Sequence, residues 1–155
     1  MDDEYKSNFK EAILSAQKSL YSGTVVALFI WGLATTNVLE KIKVPVIGFE
    51  LDGKFGLLVV MLVFMALGAH LLYSLKIASD NISKIQNEDL KQAILLSPSI
   101  LNGPKLLRLV AVAIPFLILV VAMSSAINLL VAIFTASVYS IFHFYALFYS
   151  YKINA

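Results

Sequence analysis

The 155-residue chain contains no cysteine. That excludes disulfides, thiolate metal sites and cysteine nucleophiles, and leaves the redox compartment open. Charge is scarce as well: 14% of residues are charged against 59% apolar ones, a balance that a water-soluble domain of this length could hardly cover with polar surface. The net charge of +2 is too small for a basic face that tracks nucleic acid, so no direct nucleic-acid contact is expected. No HExxH, paired aspartates, GxSxG or histidine-rich cluster occurs, so neither catalysis nor a cofactor or metal site is expected. All ten Asp and Glu residues fall outside the long apolar runs. Proton relays, ion-coupled transporters and intramembrane proteases usually place carboxylates within the bilayer, so this gap argues against all three.

What the chain does have is apolar length. Its apolar runs cover residues 20–38, 56–75 and 106–151. A bilayer core about 30 Å thick takes roughly 20 helical residues to cross. The first two runs fit one crossing each. The third would make a straight helix of about 69 Å, so it must fold back on itself. Its polar cluster at 123–128, Met-Ser-Ser-Ala-Ile-Asn, is the natural turn, with Ser124, Ser125 or Asn128 available to cap the helix that follows. The expectation is an all-α membrane protein, one domain of four transmembrane helices at 20–38, 56–76, 106–123 and 128–151. Pro115 predicts a kink in the third of these.

Three pieces lie outside the spans. Residues 1–19 mix charges of both signs, unlike a cleavable signal, and are read as retained. Tyr5, Phe9, Ile13, Ala16 and Leu20 recur every three or four positions. This predicts an N-terminal amphipathic helix at the cytoplasmic interface, a plain lead-in to the first span being the simpler alternative. Residues 39–55 form a short outer β-like loop, with apolar and charged residues alternating about Ile42 and Leu51 and a turn at Asp52-Gly53. Residues 77–105 form a cytoplasmic helical linker whose stripe of Ile82, Ile85, Leu90, Ala93 and Ile94 continues the second helix until Pro98 stops it. Within it Ile82, Ile85, Lys84 and Lys91 are the candidate surface for a cytosolic protein partner.

Lys6, Lys10, Lys18, Lys76, Lys84, Lys91, Lys105, Arg108 and Lys152 lie on one side of this topology, against Lys41, Lys43 and Lys54 on the other. The positive-inside rule then places both termini in the cytoplasm and the chain in a cytoplasmic (inner) membrane. Tyr145, Phe148, Tyr149 and Tyr151 suit an aromatic belt at that interface.

Four residues are candidates for a polar gate or pore. His70 shares a helical face with Ala66 and Ser74, and His143 with Ala132, Ala136 and Ser140. Small residues on both faces predict that the rings point into the bundle, at similar depth, where they either share a pH-sensitive constriction or each bond a neighbouring helix. Thr35 and Thr36 end a small-residue stripe running from Gly23 through Ala27, Gly32 and Ala34, which serves close packing or, in a homo-oligomer, the outer mouth of a pore.

The layout resembles the small multi-span membrane subunits of bacterial anti-phage defence operons, those of the Kiwa type among them. The features that carry it are the first span, the outer segment VPVIGFELDGKF at 44–55, a second span leading into a charged cytoplasmic helix, and a closing hairpin. The resemblance implies a homo-oligomer that senses or damages the membrane, alone or with a cytosolic partner. From the residues, a non-enzymatic subunit that oligomerises and binds a cytosolic partner stands first. A homo-oligomeric channel comes second and a small-molecule transporter third, the last disfavoured by the absence of paired broken helices.

Overall fold

The computed structural model describes residues 2–35, 41–43, 50–96 and 99–153, with backbone alone at 41–43 and 50–54. Its helices are α1 (Asp2–Thr35), α2 (Gly53–Ile82), α3 (Glu88–Leu95), α4 (Lys105–Ser124), α5 (Leu129–Tyr139) and α6 (Ile141–Ile153). Strands β1 (Lys41–Lys43) and β2 (Glu50–Asp52) pair antiparallel, Ile42 opposite Leu51. Residues 39–40 and 44–49 of the expected outer loop lie outside the described residues, as do Thr36 and Pro98.

α1, α2 and α4 are each long and apolar enough to cross a membrane, and the α5–α6 pair makes a fourth candidate if the two count as one bent span. At 1.5 Å per residue α1 measures about 51 Å and α2 about 45 Å, well beyond a bilayer core of about 30 Å. Both therefore project past any span they make. They run antiparallel: Ser19 faces His70, and Gly23 faces Phe64.

α1 corrects the expectation of a separate helix lying in the interface. Residues 2–19 continue into the apolar part without a break, as the lead-in alternative had it. Phe9, Ile13, Ala16 and Leu20 of the stripe that suggested a membrane surface are instead buried in a core with Leu71, Leu75, Ala78, Ile82, Ile85 and Ile94, and Tyr5 packs half-buried against it. The physical reason is that a packed neighbour buries such a stripe as well as lipid does, and α2 extends far enough to supply one.

The linker is likewise folded onto the bundle. α2 ends at Ile82, where Ser83 Oγ donates to the Asp80 carbonyl, and α3 starts afresh after Asn87. Asn87 Oδ1 accepts from the Leu90 amide at 3.0 Å, while the Asn87 amide donates to Asp2 Oδ2 at 3.4 Å, tying the start of α1 to that of α3. Glu88 and Asp89 complement the positive end of α3.

The expected turn at 124–128 forms. Ser124 and Ser125 hydroxyls bond back to the Val121 and Ala122 carbonyls, and Asn128 Oδ1 accepts from the Leu130 amide at 2.9 Å as the cap of α5. α4 carries Pro115 in its buried face without interruption. The fourth span is where the structure departs: in place of one helix over 128–151, α5 and α6 meet at Ser140 with a 56° bend.

A second core, nearer the Thr35 end of α1, joins Ala27 and Ile30 of α1, Met61 and Phe64 of α2, Leu119 and Ala122 of α4, and Ala136 of α5. Around both cores, exposed leucines, valines and phenylalanines such as Leu117, Val121, Leu130 and Phe134 cover the outside, the distribution expected where the surrounding solvent is hydrocarbon.

Candidate functional site: a wedged histidine and a polar cleft

The two histidines have different surroundings. On the bent α5–α6 segment, Ala132, Ala136, Ser140, His143 and Ala146 are all fully buried, so the small-residue face read from the sequence is the packing face. His143 lies against both α1 and α2. A Cβ built on Gly68 would lie 2.5 Å from His143 Nδ1, and one on Gly23 would lie 3.1 Å from Nε2. The ring also stacks on Phe64, centroids 4.5 Å apart and planes 17° from parallel. Two glycines thus make the slot and an aromatic ring closes it. Neither ring nitrogen has a hydrogen-bond partner among the described residues, nor does the Ser140 hydroxyl one turn away.

His70 does not point into the bundle. It is exposed, as is Ala66 on the same face, while Ser74 is buried. Gly68, two positions away, faces His143, and a two-residue step turns a helix through about 200°, so His70 looks out on the opposite side. The shared histidine site is therefore not formed. His70 Nδ1 lies 2.7 Å from Ser19 Oγ, and that hydroxyl is 3.1 Å from the Ser15 carbonyl. With one proton on the hydroxyl, either Ser19 donates to Ser15 and accepts from Nδ1–H, or it donates to Nδ1. Either way Nε2 is the ring nitrogen left over.

Around His70 a cleft of about 300 Å³ opens between α1 and α2, lined by Asn8, Glu11, Ala12, Ser15, Tyr73, Ser74, Ile77 and Asn81. Towards the other end of the bundle lies a cavity of about 330 Å³, walled mainly by Ile30, Leu57, Met61, Ala122 and Met123. Along α1 and α2, the layer of Gly23, Phe64, Gly68 and His143 lies at a level between the two.

The remaining candidates are accounted for locally. The Thr35 hydroxyl lies 3.1 Å from the Trp31 carbonyl and 3.0 Å from that of Gly32, bonding back onto its own helix. Ile82 and Ile85 are buried in the chain's own core and so do not form an outward apolar surface. Lys84 stays exposed, 5.6 Å from the Tyr5 ring centroid, and Lys91 sits 3.8 Å from Glu88.

Sequence reasoning missed three residues. Gly68 and Ser19 hold the two histidines, and Arg108, counted only as a topology charge, is buried. Its guanidinium donates to the Ser150 carbonyl near the end of α6 and lies 5.0 Å from the Tyr151 ring centroid. That places a cation at the negative end of a helix, and the choice of Arg over Lys was the available signal.

Among the described residues no group of three or more His, Asp or Glu is arranged to hold a metal. Comparison with protein-family models, with curated proteins and with solved structures returns no match.

Proposed function

We propose that the chain is a non-enzymatic, multi-pass subunit of a cytoplasmic membrane that assembles with copies of itself and presents a helical cap to a cytosolic protein partner, both termini lying on that side. The observation that carries this reading is the continuity of α1 and α2 from their apolar stretches into the cap they build with α3. Such a cap couples an extramembrane surface to the spans without a flexible joint. Its outward face holds Lys84, Gln86 and Lys91 rather than the isoleucines, so recognition of the partner is polar.

Two experiments test the proposal. Single cysteines introduced at Gln17 and Gln86 are expected to react with a membrane-impermeant maleimide only when the cytosolic side is opened. Crosslinking in the native host is expected to join the cap to a protein whose yield falls in Lys84→Glu/Lys91→Glu but not in an outer-end variant, Leu117→Ala. Labelling from outside, or equal yields in both variants, would refute it. The anti-phage role that the resemblance implies is tested separately, by plaque counts on cells with and without the gene.

A further inference from the structure

The cleft beside His70 has a chemistry that simple packing does not explain. On α1, Asn8, Ser15 and Ser22 recur every seven residues, close to two helical turns, and Glu11 and Lys18 keep the same interval alongside them. His70 and Asn81 form the facing wall. Glu11 and Lys18 are exposed, and neither has an ion-pair partner among the described residues. In the membrane-spanning arrangement proposed above, on which this inference rests, the cleft dips inward. His70 lies six residues, roughly 9 Å of helix, inside the level of Lys76. Continuing the same faces deeper, the next positions are Phe29 on α1 and Val63 on α2, both exposed and apolar. The surface therefore passes from a polar notch of about 300 Å³ at the interface to an apolar track leading into hydrocarbon.

We infer that this notch binds the headgroup of a zwitterionic aminophospholipid, whose acyl chain follows Phe29 and Val63. Charge decides the class. The His70 ring offers the phosphate a hydrogen-bonding group and Lys18, one turn beyond the lining residue Ser15, a cation at the rim, while Glu11 with the Asn8 and Asn81 amide oxygens receives an ammonium that donates N–H bonds. A purely anionic headgroup would satisfy Lys18 but bring no ammonium to offset Glu11. A trimethylammonium headgroup has no N–H to give.

The test uses the full chain in detergent micelles with phosphatidylethanolamine and phosphatidylcholine of matched acyl chains, bound lipid being read by native mass spectrometry. Wild type is expected to retain phosphatidylethanolamine in preference to phosphatidylcholine by about tenfold, the effect of one charge-assisted hydrogen bond. Glu11→Gln should abolish the preference and Lys18→Gln should weaken retention of both lipids, whereas Lys91→Gln should change neither. Equal retention of the two lipids by wild type, a preference that survives Glu11→Gln, or a second copy of the chain crosslinked through cysteines at Ser15 in place of lipid would each overturn it. Maleimide labelling of the Gln17 and Gln86 cysteines separates the failures. A chain that labels as a multi-pass protein yet shows no lipid preference sinks this inference alone.

Discussion

His143 keeps its place through what its neighbours lack. Gly68 and Gly23 have no Cβ to occupy the space that the ring fills, and Phe64 closes the open face. Gly68→Ala should therefore destabilise the bundle by about 1–3 kcal/mol, because a ring held on both sides cannot retreat. The thermal midpoint in detergent measures this. Gly68→Ala/His143→Ala should lose less than the two single variants together, and strict additivity would show that the residues do not touch. Arg108→Lys retains charge but loses the planar fork and the stacking on Tyr151, and should cost about 1–2 kcal/mol by the same measurement. Much of this scale could not be read beforehand. Helical spacing identified the face on which each histidine lies, and for His143 the small residues beside it did mark packing. For His70 the alternative of a bond to a neighbouring helix holds, to Ser19 of α1, but on an exposed face, since spacing along one helix says nothing about what stands opposite. Gly68 stood in view inside an apolar run, but the ring it accommodates is 75 positions further along.

At the scale of elements, the hairpin between α4 and α5 was legible because a polar cluster interrupted a run too long to be one helix. Asn128→Ala is expected to cost about 1 kcal/mol, the usual value of a side-chain cap. Amide exchange should show it as faster exchange confined to the first turn of α5. The bend at Ser140 was not legible: no proline or glycine lies near it, and the Ser140 amide still bonds the Ala136 carbonyl. The amphipathic stripe of residues 5–20 was recognised as a stripe, but its period is the same whether lipid or α2 covers it. Ile82 and Ile85 carry the converse lesson, an apolar face taken for a docking surface and already used within the chain. Ile85→Asp should accordingly unfold the cap rather than simply release a partner, with loss of protection from proteolysis in α3 as the readout.

Across the whole molecule, the layer around His143 fills the middle of the bundle, at a level between the polar cleft and the apolar cavity. A conduit through the middle of a single copy would have to pass through that layer, and the Thr35 hydroxyl that suggested a pore mouth is bonded to its own helix. Reconstituted wild type and His143→Ala are both expected to give no current above background in planar bilayers, and step conductances from either would reverse that reading. The length of α1 has a mechanical consequence. A rod of about 51 Å that tilts by only about 5° moves one end sideways by about 4 Å relative to the other. That displacement exceeds the 3.4 Å contact by which Asp2 holds the Asn87 amide at the head of α3. In the membrane-spanning arrangement proposed above, a slight thinning or sideways compression of the lipid around the Thr35 end of α1 would reach the cap already large enough to part that contact, and the helix would act as a lever from bilayer shape to the position of α3.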